Sequence, residues 1–341
     1  MLKDRYSRQE LFRPIGKEGQ QSIKRKHVLL IGAGALGAGN AEALVRAGIG
    51  KLTIVDRDYV EASNLQRQQL YSEDDARRRL PKAIAAKNRL EKLNSSVKIN
   101  AEIIDASHVE LLALAASADL IIDATDNSET RFVINDVAHK LSIPWIYGAC
   151  VGSYGMTFTV VPGVTPCFNC LWSNVPMTAG QTCDTAGIIS SSVNMVVSYQ
   201  TAEGLKILVE DFKALSGRLV TFDLWENTHS AIKVDKIKKD DCPTCGKAPV
   251  YPYLSRANMM KAAVLCGRDT VQIRPPSKKR VNLDDLHTIF SGQGLPVQYN
   301  PYLLSVTFNP HRMVVFQDGR VLIHGTNNIA EAKKTYHRVF S

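Results

Sequence analysis

The most constraining feature of this 341-residue sequence is a short apolar run that ends in a glycine-rich turn and leads into a helix-forming segment. His27–Ile31 (HVLLI) is predicted to be a buried strand, Gly32–Gly37 (GAGALG) follows directly, and Ala38–Ala47 is predicted to be a helix that ends at Gly48. In a strand–turn–helix unit of this kind, backbone N–H groups and the positive end of the helix can receive phosphates.

The same alternation of strand and helix continues along the chain. Leu52–Val55, Lys98–Ile104 and Leu120–Asp123 have the pattern of buried strands, while Pro81–Leu93 and His108–Ala116 have that of helices. Strands that alternate with helices predict an α/β fold with a doubly wound, mostly parallel (Rossmann-like) sheet. Ligands of such sheets lie at the carboxyl ends of the strands, so the loops after the first, second and fourth strands are the candidate site.

A second pattern follows Pro144 and completes a first domain over residues 1–249. The order predicted there is two strands, a long polar loop, one long helix and two strands: Ile146–Ala149, Met156–Val161, Pro162–Ser190, Asn194–Asp211, Leu219–Asp223 and Ser230–Val234.

Residues 250–341 are predicted to form a small α+β domain, to which no motif assigns a role. Gln317–Arg320 (QDGR) is a strong hairpin signal. The elements expected around it are a strand near Thr270, a helix at Leu283–Phe290, strands at Leu303–Phe308, Met313–Phe316 and Val321–His324, and a helix at Ile329–Phe340.

Charge and hydropathy exclude several classes of protein. The N-terminal segment is charged where a signal peptide is apolar, and every apolar run is shorter than about 18 residues, so we expect a soluble, cytoplasmic protein without membrane contact. Residues 1–231 hold 25 basic and 25 acidic side chains, whereas residues 232–341 hold 17 basic and 8 acidic ones and account for the net charge of +9. This basic tail has no recognisable nucleic-acid module; it suits an acidic protein partner or is a solvated surface.

Asp56 joins the glycine turn as a candidate nucleotide-binding residue. It ends the second strand 19 residues after Gly37, the position from which a carboxylate accepts hydrogen bonds from a ribose. Together, the turn and Asp56 predict an adenine nucleotide, and they fit NAD and ATP equally well.

Cations and a second acid favour ATP over NAD. Asn64, Arg67 and Gln68 follow Asp56 closely, and Lys82 begins the next helix, so groups that neutralise a triphosphate lie near the pocket. Surface arginine and lysine side chains are the alternative interpretation. After the fourth strand, Asp126 is placed to hold Mg²⁺ through its carboxylate, and the alternative is a helix-capping role.

Two cysteine pairs predict a metal site. Cys167 and Cys170, and Cys242 and Cys245, have the CxxC spacing of tetrahedral Cys₄ zinc sites, with 71 residues between the pairs. A closed structural zinc site is therefore expected. Three of the seven cysteines lie outside these pairs. Cys150 and Cys266 lie in apolar stretches and suit a core. Cys183 lies in a polar, glycine-containing segment shortly before a predicted helix, which makes its thiol a candidate nucleophile.

Taken together, these residues resemble the E1-like activating enzymes of ubiquitin-like proteins, and within them the bacterial ThiF and MoeB group. The resemblance runs from about Arg5 to Gly246 and is carried by an ordered set of motifs: RYSRQ at 5–9, GAGALG at 32–37, DRD at 56–58, SNLQRQ at 63–68, PK at 81–82, TDN at 125–127, the two CxxC pairs and TCDTAG at 182–187.

The resemblance implies an E1-like fold and a reaction. A small ubiquitin-like sulfur carrier protein would be adenylated at its C-terminal glycine by ATP, with release of pyrophosphate. Arg8 would reach the triphosphate bound to the other subunit of a homodimer, and Cys183 would link to the carrier during sulfur transfer. The residues implied at the nucleotide and its Mg²⁺ are Gly32, Gly34, Gly37, Asp56, Asp58, Asn64, Arg67, Gln68, Lys82, Asp126 and Asn127.

The identity of the carrier stays open within this resemblance. TCDTAG and Trp172 look closer to ThiF than to MoeB, which implies a ThiS-like carrier and thiamine biosynthesis. A MoaD-like carrier, serving molybdopterin biosynthesis, is the alternative, and a cysteine desulfurase is a candidate sulfur donor. The rival classes are a NAD-dependent dehydrogenase and a non-catalytic scaffold. Two departures from the group are Ala35, where glycine is common, and the basic tail.

Overall fold

The computed structural model describes residues 4–174, 183–254, 262–264, 269–274 and 280–340, without the side chains of residues 183, 184, 262 and 263. The chain divides into two compact units. One consists of Met1–Arg77 and Pro81–Arg256, and the other of Arg78–Leu80 and Ala257–Ser341.

The larger unit is built on an eight-stranded sheet with the order β3-β2-β1-β4-β5-β6-β7-β8. The first five of these strands run parallel, and β6, β7 and β8 add antiparallel to one edge. This confirms the predicted mostly parallel, doubly wound sheet. The strands are β1 (His27–Ile31), β2 (Lys51–Asp56), β3 (Lys98–Ile103), β4 (Leu120–Asp123), β5 (Trp145–Val151), β6 (Tyr154–Val160), β7 (Arg218–Asp223) and β8 (Thr228–Lys233).

Helices cover both faces of this sheet. Leu29 and Ile31 of β1 belong to an apolar core with residues of α6 and α7, while Val28 and Leu30 point to the opposite face because side chains alternate along a strand. The helices of the unit are α1 (Ser7–Leu11), α2 (Gly16–Ile23), α3 (Ala35–Ala47), α4 (Glu73–Arg77), α5 (Lys82–Leu93), α6 (His108–Ala115), α7 (Ser128–Leu141), α8 (Phe168–Trp172), α9 (Cys183–Ala186) and α10 (Ser190–Leu208).

The region predicted as one polar loop, Pro162–Ser190, contains helices α8 and α9, so that prediction was wrong in part. The long helix after it also begins earlier than the predicted Asn194. The Ile189 N–H donates to the carbonyl of Gly152, the residue just after β5, at 3.1 Å. This bond fixes the start of α10 at Ser190. The positive φ of Glu210, 64°, lies beyond the end of α10 at Leu208.

The smaller unit is a six-stranded antiparallel sheet with the order β11-β12-β13-β14-β10-β9 and a helix-covered face. Phe316 and Arg320 close the predicted hairpin through a 2.9 Å backbone hydrogen bond, and Gly319 takes φ 82° there. Its elements are β9 (Ala262–Val264), β10 (Thr270–Ile273), β11 (Val297–Tyr299), β12 (Leu303–Phe308), β13 (His311–Phe316), β14 (Val321–His324), α11 (Leu283–Gly292) and α12 (Ile329–Phe340).

The core of the smaller unit lies between the helices and one sheet face. Phe290 of α11 and Ala332 of α12 are buried against Val306, Met313 and Ile323 of the strands. Across the described residues of both units, no helix combines the length and the apolar character that crossing a bilayer requires.

Candidate active site

The glycine turn lies at the carboxyl end of β1, where two of its glycines are required by internal packing. Gly32 has φ 96°, and a Cβ there would lie 2.4 Å from the Ala124 carbonyl oxygen. A Cβ at Gly37 would lie 2.0 Å from the Gly32 carbonyl oxygen. Gly34 differs because the nearest described atom to a Cβ built there is the Gln68 Nε2, 3.9 Å away. Its missing side chain leaves open space in front of the N-terminus of α3, as close approach of a phosphate requires.

Asp56 fixes this turn from the end of β2. Its carboxylate accepts the Ala33 N–H at 2.6 Å and the Asp58 N–H at 2.7 Å. Burial, the largest effect, and the charge of Asp58 raise the pKa of Asp56, while the Lys82 ammonium and the two N–H groups act in the other direction. Asp56 therefore holds the backbone of the turn, a role in addition to the predicted one of binding a ribose.

Tyr71 is a residue of the site that sequence reasoning missed. Its hydroxyl donates to the Ala33 carbonyl at 2.6 Å, so Ala33 is held by Asp56 on its N–H and by Tyr71 on its C=O. Burial, followed by the charge of Asp56, raises the pKa of Tyr71 well above its usual value, which keeps the phenol protonated as a donor. A lone tyrosine before a charged segment carries no signal for this role.

Lys82 is buried at the start of α5, with 3% of the residue exposed. Its Nζ lies 3.4 Å from the Asp58 Oδ2, and its N–H donates to the Asp58 carbonyl at 2.9 Å. The helix begins one residue later than predicted because Pro81 is the extended N-cap residue, with φ −53° and ψ 136°. Asp56, Asp58 and Lys82 thus form one charged group beside the glycine turn, as the predicted nucleotide site requires.

Asn64, Arg67 and Gln68 lie on the turn that follows β2. The Asn64 Oδ1 accepts the Glu61 N–H at 3.2 Å, and the Arg67 Nη1 donates to the Ser63 carbonyl at 2.8 Å, so both side chains also shape this turn. The Gln68 Oε1 is buried and has no hydrogen-bond partner among the described residues. The Gln68 Nε2, a donor, is the atom of this side chain that lies in front of Gly34, where it suits an anionic ligand.

The carboxyl end of β4 is held by a buried ion pair that the sequence did not reveal. Arg131 Nε lies 3.1 Å from Asp123 Oδ2, and the Arg131 Nη2 donates to the Thr125 carbonyl at 2.6 Å. Burial raises the pKa of Asp123, and the Arg131 charge and the Thr125 hydrogen bonds oppose that rise. The pair shapes the backbone from which Asp126 projects.

The sequence left two roles open for Asp126, a ligand of Mg²⁺ and the cap of the following helix, and the structure gives the cap to Asn127. The Asn127 Oδ1 accepts the Thr130 N–H at 2.8 Å and caps α7. Asp126 is exposed and makes no hydrogen bond or ion pair with the rest of the described chain. Because Asn127 is the cap, the alternative capping role of Asp126 is wrong, and its carboxylate is available as an oxygen ligand for a hard cation.

Arg57, the central residue of the DRD motif at 56–58, adds a half-buried cation to this end of the sheet. Its Nη1 lies 3.4 Å from the Asp105 Oδ1. Burial lowers the pKa of Arg57, but the nearby carboxylates outweigh burial and raise it, those of Asp58, Asp105, Asp126 and Asp56 in that order. Acidic side chains therefore surround this end of the sheet, which suits a site for cations and for magnesium-bound phosphates.

Arg8 and Cys183 stand apart from the other predicted residues. Arg8 is exposed on α1 and forms no hydrogen bond or ion pair with other described residues. The backbone of Cys183 begins α9, and the Gly187 carbonyl after that helix accepts the Gly152 N–H at 2.8 Å. This bond places α9 near the carboxyl end of β5, while the side chain of Cys183 lies outside the described part.

The four cysteines of the CxxC pairs form one cluster. Their sulfur atoms all lie within 4.8 Å of one another, with 3.5 Å between Cys167 and Cys242 and 3.6 Å between Cys170 and Cys245. Four sulfurs at about 2.3 Å from a tetrahedral zinc lie about 3.8 Å apart. The cluster therefore has the dimensions of a Cys₄ zinc site, and the pairing of Cys167 and Cys170 with Cys242 and Cys245 is confirmed.

Helix α7 supports both halves of the cysteine cluster. The Asn135 Oδ1 accepts the Phe168 N–H at 2.9 Å, next to Cys167, and the Asp136 Oδ1 accepts the Thr244 hydroxyl at 2.6 Å, next to Cys245. Asn169 completes the link by donating to the Thr244 Oγ1 at 2.7 Å. Cys150, by contrast, is half-buried in β5 and lies outside this cluster.

The open parallel sheet, the glycine turn with its acids and buried lysine, and the cysteine cluster together define a nucleotide-binding α/β protein with a candidate structural metal site. The family model of the ThiF family matches residues 6–244, and the chain belongs to this family.

Comparisons with individual proteins agree with this assignment. The chain is 52% identical over 335 residues to the sulfur carrier protein ThiS adenylyltransferase of Bacillus subtilis, and the match covers 98% of each chain. It is 36% identical to the sulfur carrier protein adenylyltransferase of Thermus thermophilus, over 74% of this chain and 93% of the relative. The E. coli molybdopterin-synthase adenylyltransferase is 35% identical, over 71% of this chain and 96% of the relative.

Solved structures show the same fold. The crystal structure of E. coli MccB with MccA-N7isoASN superposes with a TM-score of 0.62 at 22% identity, and the match covers 72% of this chain and 76% of that one. The predicted α/β class and family are thus confirmed, while the roles of individual site residues stay predictions.

Proposed function

We propose that this protein is an adenylyltransferase that uses ATP to activate the C-terminal carboxylate of a ThiS-like sulfur carrier protein. One observation carries the proposal: the 52% identity to the Bacillus subtilis ThiS adenylyltransferase extends over 98% of both chains. The glycine turn, Asp56 and Lys82 support it because they lie together at the carboxyl ends of β1 and β2.

The reaction joins a carboxylate oxygen of the carrier to the α-phosphorus of ATP and breaks the α–β phosphoanhydride bond, so that pyrophosphate leaves. Both reactants are anionic, and the site must offset their repulsion. We assign this task to Lys82 and Arg67, with Arg8 supplied by the second subunit of a homodimer. Positioned cations act in this way without a covalent residue on the enzyme.

The remaining nucleotide contacts follow the shape of the site. The backbone of Gly32, Gly34 and Gly37 receives phosphates, and Asp56 accepts from the ribose hydroxyls. The supporting residues are Asp58, Asn64, Gln68 and Asn127. Asp126 would hold Mg²⁺, which would supply charge neutralisation on the phosphates.

Two further features extend the proposal. Zinc bound by Cys167, Cys170, Cys242 and Cys245 is structural, since four thiolates leave no open position for a substrate. In a later step, the Cys183 thiolate attacks the carrier acyl-adenylate, which forms a thioester and releases AMP, before sulfur is delivered by a donor such as a cysteine desulfurase.

The decisive experiment is ATP–pyrophosphate exchange with purified protein and Mg²⁺, with ThiS-like and MoaD-like carriers supplied separately. Exchange with the ThiS-like carrier is expected. Exchange with the MoaD-like carrier alone would replace the thiamine assignment by the molybdopterin one, which the 35% identity to the E. coli enzyme supports. No exchange with either carrier would overturn the adenylation proposal.

Asp126→Ala tests the site within the same assay. We expect exchange to fall at least about 100-fold because charge neutralisation on the phosphates is lost. Thermal stability should be unchanged, since Asp126 is exposed and Asn127 caps the helix. Glu129→Ala, which removes an exposed carboxylate three residues further along the chain, is the matched control and should leave exchange unchanged. Unchanged exchange in Asp126→Ala would remove Asp126 from the proposed mechanism.

A further inference from the structure

Three residues of the chain, Arg78–Leu80, belong to the C-terminal unit although the residues on either side belong to the larger unit. Asn300 holds them by their main chain. Its Nδ2 donates to the Arg78 carbonyl at 2.9 Å and to the Arg79 carbonyl at 3.2 Å. The Arg79 guanidinium donates to the hydroxyl of Ser305, a residue buried in β12.

The backbone conformation at this point needs such support. Arg79 has φ 48°, in the left-handed region that residues with a side chain rarely adopt. A residue keeps this conformation where its surroundings hold it. The surroundings here are the two hydrogen bonds from Asn300 and the burial of Leu80, which is 5% exposed.

The chain passes directly from this segment to Lys82. Pro81, with its ring-restricted φ, forms a β-bridge with Tyr59, and the Lys82 N–H donates to the Asp58 carbonyl at 2.9 Å. Few rotatable backbone bonds therefore separate the carbonyls that Asn300 holds from the Lys82 side chain. A shift of Arg79 must be absorbed by Leu80, Pro81 or Lys82 itself.

We propose that Asn300 is a positioning residue for the nucleotide site, which it serves by holding Arg78–Leu80 and thereby fixing Lys82. This inference rests on the proposed function for its consequence in ATP binding. It gives the C-terminal unit, to which the sequence assigned no role, a part in the chemistry of the larger unit. The effect is carried along the covalent chain.

Asn300→Asp separates this role from a purely local one. The Asn300 Oδ1 accepts the Tyr302 and Leu303 N–H groups at 2.9 and 3.0 Å and so closes the turn before β12. Aspartate keeps that acceptor and removes the two donors to Arg78 and Arg79. Asn282→Ala is the matched control in the same unit, because the Asn282 Oδ1 caps α11 through the Asp284 N–H at 3.1 Å and is remote in sequence from Arg78–Leu80.

The first measurement follows Lys82 directly, without nucleotide. The full-length protein is acetylated under limiting reagent, and the rate at each lysine is read by mass spectrometry. Lys82 is buried, so its rate in the wild type should be slow, and we expect it to rise about tenfold in Asn300→Asp. The exposed Lys140 should be acetylated at the same rate in the wild type, Asn300→Asp and Asn282→Ala. An unchanged Lys82 rate, or an equal rise in Asn282→Ala, would overturn the inference.

The second measurement is the dissociation constant for Mg-ATP by calorimetry, without any carrier. It should rise about tenfold in Asn300→Asp and stay at the wild-type value in Asn282→Ala. A faster Lys82 reaction with unchanged ATP affinity would overturn the positioning role. If the wild type binds Mg-ATP but gives no exchange with either carrier, the proposed function fails while both measurements still decide the role of Asn300.

Discussion

The glycines of the turn at residues 32–37 have different structural roles. Gly32 is required by the fold because of its φ of 96° and the nearby Ala124 carbonyl, whereas the space in front of Gly34 is open among the described residues. A sequence motif names both glycines alike, and only the structure distinguishes a packing requirement from room for a ligand.

Substitution by alanine should therefore separate stability from binding. Gly32→Ala is expected to lower the free energy of unfolding by about 3 kcal/mol or more, since a Cβ would lie 2.4 Å from a carbonyl oxygen. Gly34→Ala should cost about 1 kcal/mol or less and weaken Mg-ATP binding. Chemical denaturation and calorimetry measure the two effects. Equal losses of stability in both variants would contradict this division.

The Asp123–Arg131 pair gives a pH-dependent prediction. Arg131→Met should lower stability at pH 7 by about 3–5 kcal/mol, because Asp123 would remain as a buried charge without its cation. Burial already raises the pKa of Asp123, and loss of Arg131 raises it further. The unfolded chain then ionises at lower pH than the folded one, so the deficit grows as pH rises from about 4 and is smallest in acid.

Urea unfolding of wild type and variant between pH 4 and pH 8 measures this deficit. Arg89→Met, an exposed arginine on α5 that makes no hydrogen bond or ion pair within the described chain, is the control and should change stability by less than about 0.5 kcal/mol at every pH. A deficit in Arg131→Met that is independent of pH would contradict the assignment to Asp123.

At the scale of elements, the sequence predicts what continuous apolar runs determine. His27–Ile31 and Leu120–Asp123 are strands in the structure because five and four consecutive buried residues fit a sheet that is covered on both faces. The same runs explain why the sequence brings Asp56 and Lys82 to one end of the sheet: Asp56 ends β2 and Lys82 begins α5. Their roles at a nucleotide stay predictions.

Elements that depend on distant partners were not predictable in this way. Helix α8 lies within the predicted polar loop because Asn135 and the cysteine cluster hold it, and these partners are far away in sequence. Tyr71 and Arg131 were missed for the same reason, since their roles consist of bonds to the Ala33 carbonyl and to Asp123. Local propensity contains no information on either bond.

The cysteine cluster joins the segments around Cys167–Cys170 and Cys242–Cys245, so its loss should destabilise both. We expect Cys242→Ser to lose its zinc and to melt at a lower temperature, because metal binding free energy contributes to folding. Cys150→Ser, a half-buried cysteine outside the cluster, should keep one zinc per chain. Elemental analysis and differential scanning calorimetry measure these outcomes. Full zinc content in Cys242→Ser would refute the four-thiolate site.

At the scale of the whole molecule, the proposed site is shared between subunits. Lys82 belongs to one subunit in this proposal and Arg8 to its partner. Arg8 is exposed on α1 and forms no hydrogen bond or ion pair with other described residues. The exposed Leu11 and Phe12 follow it at the end of the same helix. An apolar exposed pair beside an unpaired cation suits a surface that a second copy covers.

Subunit mixing tests this arrangement. Arg8→Ala and Lys82→Ala should each be inactive in ATP–pyrophosphate exchange. After dissociation and joint reassembly, half of the dimers are mixed and each mixed dimer holds one intact site, so activity should return to about one quarter of wild type. Separate reassembly of each variant is the control. No recovery in the mixture would place Arg8 outside the partner's site.

The proposed link from Asn300 to the nucleotide site also implies an order of events during synthesis. Asn300 lies 222 residues after Arg78, whose carbonyl it holds. At about 5–20 residues per second, the ribosome needs roughly 10–40 s to supply this partner. The larger unit is therefore fully translated before Arg78 and Arg79 acquire their hydrogen bonds from Asn300, and a chain released early would contain Lys82 without the residue that positions it in this proposal.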